Sequence, residues 1–103
     1  MGRPRSELQT LLESFVPSGG KVYFQPPNGT RMQYPAIVYK RDYRATEFAN
    51  NKAYLSTKRY MVTIIDGNPD SGIPEKVAAL PMCTFSRFFA VDNLNHDIYD
   101  LYF

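Results

Sequence analysis

His96 is the only histidine, and it stands in DNLNHDIYDLYF, residues Asp92 to Phe103, with Asp92, Asp97 and Asp100 close by in sequence. A histidine among carboxylates could hold a metal ion or serve as a general acid or base. The first needs three or more converging ligands, and the second needs an oriented partner. On a strand, successive side chains point to opposite faces, so His96 and Asp97 diverge. The spacing therefore favours a polar residue beside a turn over a reactive centre. Cys83, the only cysteine, follows Pro81-Met82 and opens an apolar run. A free thiol there packs as a small hydrophobe in preference to acting as a nucleophile.

Asp66-Gly67-Asn68-Pro69-Asp70-Ser71-Gly72 resembles the start of a calcium loop, with oxygen donors at its first, third and fifth positions. It departs from one where it matters: glycine falls at the seventh position, and the twelfth is Val77, which has no carboxylate to offer. A turn into a helix N-terminus, with Asp70 and Ser71 as caps, accounts for the same residues. No phosphate-binding glycine loop or nucleophile elbow is present. The expectation is a protein that is not an enzyme and takes neither metal nor cofactor.

One constellation suits nucleic acid. Tyr39, Arg41, Tyr43, Arg44, Lys58 and Tyr60 interleave cations with aromatic rings, and cations track phosphate backbones while bases stack on rings. Twelve basic against ten acidic residues leave a net charge of only +2, too little to mark a dedicated nucleic-acid binder. A small nucleic-acid-binding protein is the alternative reading. Snorkelling cations over tyrosines on an exposed sheet explain the pattern equally well.

The elements that carry these residues follow from periodicity. With 103 residues, the chain is one domain, residues 1–103, with a single modest core. The aromatic share of 15%, eight Tyr and seven Phe with no Trp, favours sheet. Ser6-Glu7-Leu8-Gln9 fits a capping box, and Leu8, Leu11, Leu12 and Phe15 recur at helical spacing. Lys21 to Gln25 reads as a strand before the turn-rich Pro26 to Thr30. Next, YPAIVYKRDYRATEFA and KAYLSTKRYMVTIIDG flank Asn50-Asn51, a two-residue turn signal. Closing that turn opposes Ile37 to Ile64, Tyr39 to Val62, Arg41 to Tyr60 and Tyr43 to Lys58.

The strand from Ala36 to Ala49 would extend about 45 Å, more than twice a usual strand. Its outer part, Arg44 to Tyr54, would be an arm with unpaired edges, and such edges need cover. An intermolecular contact is predicted there, with Arg44, Glu47, Phe48, Asn50, Asn51 and Tyr54 as candidates. A second helix carries Ile73, Val77 and Leu80 on one face, with Pro74 and Glu75 in its first turn. CTFSRFFAV and HDIYDLYF then form a hairpin. A four-residue loop, Asp92 to Asn95, would set Phe89 against Ile98, Arg87 against Asp100 and Phe85 against Tyr102. The predicted fold is α+β: a largely antiparallel sheet with a long central hairpin and two short helices packed on one face. No run approaches the roughly 18 apolar residues of a membrane span, and MGRPRSELQ lacks a signal-peptide core. With one cysteine, the expectation is a soluble protein folding in a reducing cytoplasm.

VYFQPPNGTRMQYPAIVY, KRYMVTIIDGNPDS and the closing DNLNHDIYDLYF together resemble short virion proteins of long-tailed bacteriophages. The likeness is to the tail terminator or tail-completion class at the head-tail junction, and it spans roughly Lys21 to Phe103. It implies a structural α+β subunit, without cofactors, that forms a homo-oligomeric ring, typically sixfold. Such a ring caps the completed tail tube and offers a docking surface to the head connector. It also implies a place in the neck of the virion after assembly in the host cytoplasm. DNA would pass through the ring without sequence-specific binding, and no membrane is involved. Pro27, Asn28 and Arg31, in the PPNGT loop and just after it, are the candidate partner contacts.

Overall fold

The first helix starts one residue before the expected N-cap. The computed structural model describes residues 4–17, 19–49 and 52–103, with side chains throughout these except 43–57. In it α1 spans Arg5–Glu13 behind an extended Pro4 that makes no side-chain cap. The Glu7 N–H donates to the Pro4 carbonyl at 3.1 Å. The predicted capping box of Ser6 and Gln9 is not formed, because Gln9 is engaged elsewhere. Its Oε1 accepts the Tyr39 hydroxyl and its Nε2 donates to Glu13 at 3.1 Å. A part-buried polar contact has taken the side chain that the exposed cap would have used. Leu8 and Leu12 are fully buried, with Leu11 and Phe15 packed at the margin.

Five strands follow: β1 (Lys21–Phe24), β2 (Ala36–Ala49), β3 (Lys52–Asp66), β4 (Cys83–Val91) and β5 (Leu94–Tyr102), with α2 (Ile73–Ala78) between β3 and β4. They form one sheet in the order β1-β2-β3-β5-β4. The fold is α+β and the sheet is mixed, since β1 runs parallel to β2 while the other three pairings are antiparallel. Residues 25–35 bring the chain back to the starting end of β1, as a parallel pair requires. The return is fastened where Lys21 N–H donates to the Pro35 carbonyl at 3.2 Å and Gln33 N–H to the Tyr23 hydroxyl at 3.0 Å.

Between β2 and β3 the expected opposition of Ile37 with Ile64, Tyr39 with Val62 and Arg41 with Tyr60 is observed. Beyond it the register slips. Tyr43 faces Arg59 in place of Lys58, because Asp42 is an extra residue in β2. Its carboxylate accepts from Arg59 Nε at 3.0 Å, so the bulge re-aims an acidic side chain at a cation. A second irregularity lies between Glu47 and Phe48, and pairing ends at Ala49 with Lys52. The expected turn residues Asn50 and Asn51 lie outside the described residues. By contrast, β1 stops opposite Tyr39 and β5 opposite Arg59. The molecule measures 51 × 23 × 23 Å, and its radius of gyration is 14.7 Å. A compact chain of this length would have about 13 Å.

The last two strands correct a second expectation. Asp92 and Asn93 have φ of 53° and 63°, and Val91 faces Leu94. The connection is therefore a two-residue turn and not the four-residue loop Asp92 to Asn95; aspartate and asparagine are the residues that best tolerate positive φ after glycine. Phe89 consequently faces His96, Arg87 faces Ile98 and Phe85 faces Tyr99, in place of Ile98, Asp100 and Tyr102.

One cluster forms the core. Leu8 and Leu12 of α1 and Ile73 and Val77 of α2 join Ile37, Tyr39, Tyr60, Val62, Ile64, Tyr99 and Leu101 of the strands, with Phe103. The strand members occupy alternate positions and fall into cross-strand rows, which places them on a common face of the sheet. Each such side chain contributes on the order of 2 kcal/mol by leaving water. Phe103 is itself tied in, its N–H donating to the Lys58 carbonyl at 3.0 Å.

Candidate interaction surface

Among the described residues, most of the exposed large hydrophobic side chains lie on strand β4. It pairs with β5 on one side and is last in the sheet order, so its other edge has no strand beside it among the described residues. Phe85 is 55% exposed, Phe88 53% and Val91 50%. Arg87 is the only charged residue in the strand. Natural edge strands are usually blunted by several charges or a proline, and β4 has neither. A bulge between Phe85 and Arg87 lets Phe85 and Phe88 share a face, opposite Tyr99 and Asp97 respectively. Phe85 meets Tyr99 edge-on, with ring centroids 5.6 Å apart.

The other face of the β4/β5 pair holds His96, a residue of β5 opposite Phe89. Its ring stacks on Phe89 with centroids 4.5 Å apart and 13° between planes, and its Nδ1 lies 3.1 Å from the Leu94 carbonyl oxygen. The Arg87 guanidinium sits 5.5 Å from the centre of the same Phe89 ring. His96 thus has its ring face and one nitrogen engaged in local packing. Asp97 lies on the opposite face, and Asp92 is exposed in the turn. Among the described residues no group of three His, Cys, Asp or Glu side chains is placed to hold a metal ion.

The calcium-like segment is a run of side-chain-to-backbone turns. Asp66 Oδ1 accepts the Asn68 N–H and Asn68 Oδ1 accepts the Asp70 N–H, each at 2.9 Å. The Ile73 N–H then donates to Ser71 Oγ at 3.3 Å at the start of α2. These oxygens are spent on the backbone, which is why such residues recur in turns. Between this loop, α2 and the sheet lies a cleft of about 240 Å³ lined by Asp66, Glu75, Phe88, Asn95 and Asp97 among others. Burial pushes the Asp97 carboxyl up from its ordinary range, and the nearby His96 offsets this in part. The Cys83 thiol is also pushed up, by burial and then by the Asp100 carboxylate, which keeps it protonated and poorly nucleophilic.

The structure divides the residues of the nucleic-acid alternative. Tyr39 is 0% exposed and Tyr60 1%, so neither can offer a ring face to a base. Tyr39 is held from several sides: Arg5 Nη1 donates to its hydroxyl at 3.0 Å, and the Phe24 and Tyr60 ring centres lie 4.9 and 5.9 Å away. Arg41 is exposed and Lys58 half-buried, while the side chains of Tyr43 and Arg44 lie outside the described part. The predicted stacking platform therefore loses two of its three tyrosines to the core. Of the arm candidates, Arg44, Glu47, Phe48 and Tyr54 fall in the outer strands, and their side chains, like Asn50 and Asn51, lie outside what is described. Pro27, Asn28 and Arg31 are exposed on a loop whose turn closes through Thr30 Oγ1 donating to the Pro27 carbonyl at 2.6 Å.

Sequence reasoning missed β4 as a surface. The available signal was a strand with large apolar residues on both faces whose only neighbour in the chain is a terminal hairpin partner. No protein-family model matches the chain, and neither does any curated protein. Among the described residues no helix is long and apolar enough to cross a membrane.

Proposed function

We propose that this chain is a structural virion subunit of the head-tail junction in a long-tailed phage, forming a homo-oligomeric ring that caps the completed tail tube. The ring offers its outer surface to the head connector, and DNA passes through it without sequence-specific contact. One observation carries the assembly part of this reading. Strands β2 and β3 stay paired as far as Ala49 and Lys52, although β1 ends opposite Tyr39 and β5 opposite Arg59. The two strands act as a long hairpin arm, and among the described residues no strand lies beside its outer part. An arm of this kind joins copies head to tail, and a head-to-tail interface closes into a ring when its rotation divides a full turn. The phage role itself rests on the resemblance of residues Lys21 to Phe103.

The test is placement on tail tubes. Fluorescently or gold-labelled protein mixed with assembled tubes should appear by electron microscopy as one density at a single end of each tube. Binding along the tube walls, or no binding, contradicts the role.

A further inference from the structure

Charge is distributed unevenly along this nearly neutral chain. Residues 40–59, the outer parts of β2 and β3, carry six basic and two acidic residues, whereas residues 66–103 carry six acidic and two basic. The tip of the arm and the acidic cleft are separated in space as well, although the base of the arm meets the last strand where Arg59 faces Tyr102. Lys52 begins β3 and Asp66 ends it, about 45 Å apart along a strand of that length. Antiparallel pairing sets Asn95 beside Asp66 and Asp97 beside Ile64, and Phe88 faces Asp97 from β4. The acidic cleft with its exposed phenylalanine therefore lies at the end of the sheet remote from the basic arm.

We propose that the free edge of β4, with Phe85, Phe88 and the acidic cleft around Glu75 and Asp97, is the receptor for the basic β2/β3 arm of a second copy of this chain. The inference deepens the ring reading and rests on the self-association in it, though not on the phage role. Three properties of the two surfaces fit each other. Both present strand edges beside which no strand lies among the described residues, so pairing adds main-chain hydrogen bonds in the manner of strand addition. Phe85 and Phe88 supply an apolar anchor that is more than half exposed in the single subunit. The charges are opposite, which steers the encounter and fixes its direction.

Charge also selects this occupant over the simplest competitor. Two β4 edges paired with each other would bring two acidic regions together, whereas arm on β4 opposes unlike charges. The resulting contact is heterologous: each copy offers one arm and one receptor. Such a chain propagates until it closes.

Two variants separate the halves of the contact. A receptor variant, Phe88→Ser with Glu75→Lys, changes two exposed side chains and keeps the arm. An arm variant, Arg44→Ser with Lys52→Ser, keeps the receptor. Under whichever condition assembles the wild type, alone or with tail-tube protein, each variant should remain at the monomer mass of 11.8 kDa. Mixed in equal amounts they should form pairs and stop there, because each pair has one working contact and no second. Raising the salt should dissociate those pairs. Should a double variant fail to fold, Glu75→Lys alone should raise the concentration needed for assembly by about tenfold, equivalent to one strong charge contact. The inference is overturned if the wild type assembles but the arm variant assembles equally well, or if the mixture stays monomeric. It is also overturned if the arm variant assembles normally and has lost only low-salt DNA binding. A wild type that is monomeric under every condition removes the ring reading and this inference together.

Discussion

Replacing Leu12 by alanine should lower the free energy of unfolding by about 3 kcal/mol, within the range for buried leucines truncated in well-packed cores. Leu12 is 0% exposed and belongs, with Leu8, to the cluster that includes Tyr39, Tyr60 and Leu101. The informative control is Ser6→Ala on the same helix. A capping box would lose about 1 kcal/mol on that change. No side-chain cap is made at this terminus, so a shift of less than about 0.5 kcal/mol is expected. Both are read from urea unfolding midpoints. A Leu12→Ala protein as stable as wild type would mean that α1 is not part of the core; a costly Ser6→Ala would restore the capping box.

The second large effect is expected at Gly20. A Cβ there would lie 2.0 Å from Val16 Cγ1 and 2.7 Å from the Pro35 carbonyl oxygen. The valine can rotate, but the carbonyl cannot retreat easily, since it accepts the Lys21 N–H that opens the β1/β2 pairing. Gly20→Ala should therefore cost about 1–3 kcal/mol, as overpacking does. Gly72→Ala is the matched control, because a Cβ there meets nothing within 4 Å, and its change should stay below about 0.5 kcal/mol. Equal effects at the two glycines would contradict the close approach of residue 20 to the start of β2.

Much of the sheet was legible from alternation and turn residues, and the misreadings have identifiable causes. The β2/β3 register is right from Ile37 to Arg41 because the two-residue turn signal and the apolar pairs at the base agree. It fails at Asp42 because a bulge leaves the alternation of polar residues on an exposed strand unchanged and so has no signature. The last turn was misplaced by two residues. Asp92 and Asn93 could both adopt positive φ, but Leu94 and Asn95 offered no reason to end the loop there. The parallel pairing of β1 depends on a contact between residue 21 and residue 35, which local pattern does not encode.

For the candidate surface, the limits differ. His96, Asp66 and Asn68 suggested chemistry from spacing alone, and the structure engages all three locally: the Asp66 and Asn68 side-chain oxygens accept backbone N–H groups, and the His96 ring packs on Phe89 beside the Leu94 carbonyl. The tyrosines of the apparent stacking platform looked exposed because cations flank them, yet Tyr39 and Tyr60 are buried in the core cluster with Leu8 and Leu12. Phe85 and Phe88 are exposed because β4 is last in the sheet order, and whether an apolar strand is central or at an edge depends on that order. Strand order is the property least visible in one sequence.

The proposed ring depends on self-association, which the mass of the purified wild-type protein reads out. Light scattering over a wide concentration range, with and without tail-tube protein, should show a discrete closed species at a whole-number multiple of 11.8 kDa in at least one of the two conditions. A mass that stays at 11.8 kDa in both would contradict it.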